Sequence, residues 1–330
     1  MSKLASILVL LPVLCLPLLA AATQREGSLR RLESHEPIQL EGGSRVEFHS
    51  FHSRALGKQM AYSVFLPAGY DSSVRVYPVI YFLHGMFNDH TSWCVTRYGN
   101  IPAAVERTIE EMGLPQFIMI HPAGDNGYYT DSADGRALYE KAFQQDLLRE
   151  AEANFRISRD REGRAIGGTS MGGYGALKLA FKHPHMYGAV AASSPIVLTG
   201  KNPFQQLKWD GSDRRAQFFS GLIARVYGEP VDLKHWDNNR LDALAGNDLM
   251  GLKVLMLYGT ADRYNRMIPM EAGIRKLNAL LEAKGVASNL RVYEGEAHGW
   301  SLVMEHLREI LEFLTAGFPK NQKATVQADS

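Results

Sequence analysis

Residues 165–183 read AIGGTSMGGYGALKLAFKH. A serine at 170 stands between glycine pairs at 167–168 and 172–173, after a short apolar run and before a helical pattern. A surface loop needs no such crowding. Gly168-Thr169-Ser170-Met171-Gly172 fits G-x-S-x-G, a common spacing whose meaning depends on where it falls. GRAIGG reads as a strand and GYGALKLAFKH as a helix, so the pentapeptide is a sharp strand-to-helix corner. Small residues on both sides let strand and helix pass closely, and the strain thrusts the serine side chain away from the sheet. The Met171 amide then opens a helix and is aimed at developing negative charge. A glycine-rich packing turn with an inert serine is the competing reading.

Outward from this corner, apolar runs of strand length alternate with helical patterns. The strand candidates are RVEFHSF, QMAYSVFLP, YPVIYFLHG, QFIMIHPAG, GRAIGGTS, MYGAVAASSP, KVLMLYGTAD and NLRVYEGEAH. The middle runs are nearly continuous in apolar residues, as strands buried on both faces of a parallel sheet must be. The first two alternate and lie close together, which predicts antiparallel pairing at an edge. Helices are expected over IPAAVERTIEEMG, LYEKAFQQDLLREAEANF (with Phe143, Leu147 and Leu148 on one stripe), RMIPMEAGIRKLNALLEAKG and SLVMEHLREILEFLTAGF. The fold class is therefore α/β, with a mostly parallel central sheet and helices on both faces. Functional groups in such sheets gather at the carboxyl ends of the strands. Residues 200–250 break the rhythm and read as a small helical insertion over that edge, with an apolar stripe of Phe218, Leu222 and Val226.

A serine hydroxyl needs a base, and the base an orienting acid. In the chain order Ser, Asp, His, Asp262 follows the strand VLMLYG, and His298 lies between the strand RVY and the last helix. His183 and His185 flank a proline beyond a helix, and His306 lies within one. Glu294 and Glu296 are rival acids, close to His298 in sequence. The second oxyanion donor is expected from the loop after YFLHG, at the backbone amide of Met86, paired with that of Met171. His84 is expected to brace that loop. His84 and His90 lack a third ligand at a defined spacing, so neither metal nor cofactor is expected.

The 330 residues carry 36 basic and 35 acidic side chains without a sustained basic run, which argues against a nucleic-acid or anionic-membrane partner. Residues 1–22 have the layout of a secretory signal peptide, with one lysine, an apolar stretch broken by Pro12 and Pro17, and an Ala-Ala-Ala end. Cleavage after Ala22 and export, periplasmic or extracellular, are expected; an uncleaved anchor is the rival. Residues 23–44 are expected to be extended, 45–318 to form the α/β domain and 319–330 to be a disordered tail. Without Cys15 the mature chain holds only Cys94, which forms no internal disulfide and reads as a small buried filler.

With FLHGM, GGTSMGGYGA, YGTAD and EAHGW in this order, residues 45–316 resemble the esterase D-like family of α/β-hydrolases. That family includes S-formylglutathione hydrolases, feruloyl and acetylxylan esterases, and mycolyltransferases. The resemblance implies a triad of Ser170, Asp262 and His298 and an oxyanion hole at Met86 and Met171. It also implies hydrolysis of a small-molecule carboxylic ester through an acyl-enzyme. Acyl transfer to a sugar or lipid hydroxyl is the related alternative, and a non-catalytic binding module the alternative of another class. Export argues against glutathione chemistry. Trp93, Tyr128, Tyr129, Trp209, Trp236 and Trp300 are the aromatic pocket candidates.

Overall fold

The structure is a computed structural model that describes residues 35–94, 99–207 and 214–319. The chain divides into two units, Met1–Glu36 and Pro37–Ser330. Only His35 and Glu36 of the first are described, so the signal-peptide expectation lies outside the described residues, as does the tail beyond Pro319.

Among the described residues the second unit has nine strands: β1 (Ile38–Gln39), β2 (Arg45–Ser53), β3 (Lys58–Leu66), β4 (Val79–Leu83), β5 (Ile118–Pro122), β6 (Arg164–Thr169), β7 (Ala189–Ser193), β8 (Lys253–Gly259) and β9 (Ala287–Tyr293). Their order in the sheet is β1-β2-β3-β5-β4-β6-β7-β8-β9. Pairing is antiparallel from β1 through β3 to β5 and parallel from β5 to β9. This is the expected sheet with one addition: β1 pairs Ile38 with Val46 inside the segment read as merely extended. Two residues are too short to leave a period in sequence.

Side-chain alternation divides each central strand between two cores. Ile166, Val254, Met256 and Tyr258 face a layer that includes the helices Met171–Lys182 and Met270–Ala283. Ala165, Leu255 and Leu257 face a layer that includes the helices Ile101–Met112 and Leu307–Thr315. Three expected helices are less regular than their patterns. The stretch from Tyr139 to Asn154 contains a π segment at Ala142–Leu147. The helix after Asp262 begins only at Met270, because the Asp262 side chain caps a separate 3-10 turn, Arg263–Arg266. The last helix breaks at His306, whose ring stacks on Tyr293 at 3.4 Å and bonds Glu296.

The corner at Ser170 is tight. A Cβ on Gly168 would lie 2.4 Å from the carbonyl oxygen of Gly172, and one on Gly172 would lie 2.1 Å from that of Leu83. Those contacts are backbone, which cannot swing away. Gly172→Ala is therefore expected to destabilise the protein by about 3 kcal/mol or more, measured by urea unfolding. A stability within ~0.5 kcal/mol of wild type would show that the corner has room to spare. The helix that follows is tied to its neighbours by Lys178, wholly buried, whose Nζ donates to Tyr129 O (2.6 Å), Thr130 Oγ1 (2.9 Å) and Glu140 Oε2 (2.7 Å). Burial opposes the charge on Glu140, but the Lys178 and Lys182 ammonium groups outweigh it and hold the carboxyl far below its ordinary range.

Candidate active site

Parallel strands place their carboxyl ends along one edge, and the turns after β4, β6, β8 and β9 meet there. Ser170 follows β6 with φ 58° and ψ −118°, a left-handed backbone that a serine adopts only under constraint. The constraint is visible: its amide donates to Ser193 O at 2.8 Å, and its carbonyl accepts from Tyr174 N at 3.0 Å. As the first residue of the following helix, Met171 has an N–H with no intrahelical acceptor.

The turn after β4 is locked by His84. Its Nε2 accepts the Gly124 amide at 2.9 Å, so the proton sits on Nδ1, which donates to Gly85 O at 2.8 Å. Burial lowers the pKa of this ring, in keeping with a neutral brace. The Asn88 amide bonds the same carbonyl at 3.3 Å. Gly85 C=O and Met86 N–H belong to one trans peptide, so fixing the carbonyl fixes the N–H in the opposite direction. A Cβ added to Gly85 would lie 3.2 Å from Ser170 Cβ, so this turn lies directly against the serine.

Asp262 and His298 come together from separate turns. His298 Nδ1 donates to Asp262 Oδ2 at 2.5 Å, and Asp262 Oδ1 accepts the Tyr264 amide at 2.9 Å. The carboxylate only accepts, so the bond puts the proton on Nδ1 and leaves Nε2 of the neutral ring as an acceptor. The two turns are stapled to each other by Ala261 N to Glu296 O (3.0 Å), Thr260 N to Tyr293 O (2.9 Å) and Gly295 N to Thr260 Oγ1 (2.9 Å). Of the rival acids, Glu296 is engaged with His306 Nε2 at 2.8 Å.

Ser170, His298, Met86 and Trp300 line one cavity of about 200 Å³, together with Phe87, Asn88, Ile196, Phe219, Arg263, Tyr264, Ile268 and Met270. Asn88 links its two sides, through Nδ2 to Met86 O (2.9 Å) and Oδ1 from Trp300 Nε1 (3.4 Å). Four aromatic candidates are corrected. Trp93 is fully buried, stacked on His121 at 3.9 Å, with Nε1 on Ser63 Oγ. Tyr128 and Tyr129 are buried and support the turn after β4, through Met86 Sδ and His84 O. Trp236 is buried inside the insertion, with Nε1 on Gly200 O at 2.9 Å. Trp209 lies outside the described residues. The stripe on the helix Arg214–Tyr227 is also shifted: Phe218 is exposed, and Phe219, Leu222, Ile223 and Val226 are buried. Phe219 and Tyr264 were missed as pocket residues. Each sits beside a residue already singled out, Phe218 and Asp262.

Cys94 is buried, and burial pushes its thiol up to about 12, which leaves it without nucleophilic character at neutral pH. Among the described residues no group of three His, Cys, Asp or Glu side chains is placed to hold a metal ion, and no helix is long and apolar enough to cross a membrane.

The sheet order, the strained serine corner and the turns around it define an α/β-hydrolase fold. A family model described as "Putative esterase" matches residues 53–314, and the chain belongs to that family. An esterase of Mycobacterium tuberculosis is 30% identical over 214 residues, 62% of this chain and 42% of that protein. An endo-1,4-beta-xylanase/feruloyl esterase of Xylanibacter ruminicola is 29% identical over 146 residues, 42% of this chain and 20% of that one. The chain thus spans less than half the length of these curated relatives. Among solved structures, a ferulic acid esterase superposes with a TM-score of 0.66 at 25% identity, covering 84% of this chain and all of that one. An S-formylglutathione hydrolase from Agrobacterium tumefaciens gives 0.64 at 19% identity, covering 84% and 98%.

Proposed function

We propose that the protein is an exported serine carboxylesterase that hydrolyses short acyl esters through an acyl-enzyme. The observation that carries this reading is that His298, bonded to the buried Asp262, lines the same cavity as Ser170. His298 Nε2 takes the proton from Ser170 Oγ as Oγ attacks the ester carbon. The amides of Met86 and Met171 receive the charge that gathers on the carbonyl oxygen. The proton then passes to the departing alcohol, and water repeats the sequence to release the acid. Asp262 holds the imidazole in the accepting tautomer and stabilises its cation without taking the proton.

The cavity, about 200 Å³ and walled in part by Ile196, Ile268 and Met270, supports a preference for short acyl groups. An apolar wall discriminates by only about 1–3 kcal/mol per methylene, so preference is graded and not absolute. The test is kcat/KM over p-nitrophenyl esters from acetyl to palmitoyl, with methyl ferulate as a further arm because feruloyl chemistry is named for relatives. Activity is expected to be highest from acetyl to butyryl. A maximum at long chains would overturn the short-acyl assignment, and no turnover of any ester would overturn the esterase reading.

A further inference from the structure

Among the described residues few large apolar side chains are exposed, and two of them touch: Phe87 (58% exposed) and Phe218 (51%), with ring centroids 5.6 Å apart. They come from different elements, the turn after β4 and the helix Arg214–Tyr227. Phe87 holds a left-handed backbone, φ 64°, with its amide on Asn126 Oδ1 at 2.9 Å. An exposed ring on strained backbone contributes little to folding. Inward, both rings meet Phe219, at 6.3 and 6.2 Å. Phe219 meets Tyr264 edge-on at 5.7 Å, and Tyr264 meets the His298 ring at 4.6 Å. A ladder of aromatic rings therefore runs without a break from solvent to the imidazole.

We infer that this ladder is the subsite for the alcohol half of the ester, and that this half is apolar and planar, an aryl or arylmethyl alcohol. The inference rests on the catalytic reading of Ser170, His298 and Asp262. As the C–O bond breaks, its electron pair goes to the alcohol oxygen, His298 Nε2–H delivers a proton to that oxygen, and the acyl carbon stays on Ser170 Oγ. The alcohol oxygen must then lie within hydrogen-bond reach of the imidazole. The ring against that imidazole is Tyr264, so the alcohol's carbon skeleton extends along Tyr264 and Phe219 and reaches the mouth between Phe87 and Phe218. The acyl carbonyl is received by the amides of Met86 and Met171.

Two isomeric esters separate the halves: 2-naphthylmethyl acetate carries its ring on the alcohol and methyl 2-naphthylacetate on the acid, with ethyl acetate as the ringless reference. Phe87→Ala and Phe218→Ala are expected to lower kcat/KM for 2-naphthylmethyl acetate about tenfold relative to ethyl acetate, mainly through KM. The ratio for methyl 2-naphthylacetate should hold, and Phe218→Tyr should keep the wild-type preference. Circular dichroism of each variant shows whether it folds, and Phe218→Leu replaces any that does not. Equal losses on both isomers, or a larger loss with the ring on the acid, would overturn the assignment. If wild type hydrolyses ethyl acetate and the ratios do not move, the subsite alone falls. If wild type hydrolyses none of the three, the catalytic reading falls with it.

Discussion

Ser170→Ala is expected to lower kcat/KM for p-nitrophenyl acetate by about 10⁴- to 10⁶-fold, because the hydroxyl proposed to attack the ester carbon is removed. A fluorophosphonate probe should label wild type at Ser170 and leave the variant unmarked. The substitution removes one oxygen from a site that is already nearly buried, so thermal unfolding should change little. Ser170→Gly tests the strain at the same position. At φ 58° glycine relieves a backbone penalty of about 1 kcal/mol, and the inactive glycine variant should be more stable than the alanine one. Retention of most activity by either variant would remove Ser170 from the mechanism.

His298→Ala should cost nearly as much, since without a base the serine stays protonated, and the loss should approach that of Ser170→Ala instead of adding to it in the double variant. Asp262→Asn should cost about 10⁴-fold, because an amide at Oδ2 can donate to Nδ1 and turn the imidazole to the wrong tautomer. The decisive comparison is kcat/KM of the two single variants and the Ser170/His298 double variant. Full activity in Asp262→Asn would assign the acid to another carboxylate, and an additive double variant would show that serine and histidine do not act as one unit.

The residues around this chemistry were legible in sequence because each sits at a punctuation mark. Gly168 and Gly172 flank Ser170, Asp262 stands where VLMLYG ends, and His298 stands between a strand and a helix. The central buried strands announced themselves by continuous apolar runs, and all eight expected strands, the alternating edge ones included, formed. What sequence could not supply was direction. Trp93, Tyr128, Tyr129 and Trp236 follow strand ends or lie in the insertion, as pocket residues do, yet their rings turn into the core. Large amphipathic rings serve either purpose, and only a partner distinguishes them: Ser63 for Trp93, Gly200 for Trp236. Tyr264 was hidden for the opposite reason. Its place beside His298 follows from the Asp262 side chain capping its amide, a tertiary detail with no sequence period. The break at His306 is of the same kind, since an apolar pattern runs straight through it while a stack on Tyr293 bends the chain.

The sheet order sets the serine and histidine in unequal company. β6, which ends at Ser170, is flanked by β4 and β7 and buried along its length. Among the described residues β9, which leads to His298, is the last strand, pairs only with β8 and has no fully buried residue. Edge strands open in local fluctuations long before a central strand gives way. On warming, β9 is expected to open before β6, so that His298 leaves its place while the corner at Ser170 is still folded. Ester hydrolysis followed on a temperature ramp should then fall, and recover on cooling, below the temperature at which circular dichroism reports loss of the fold.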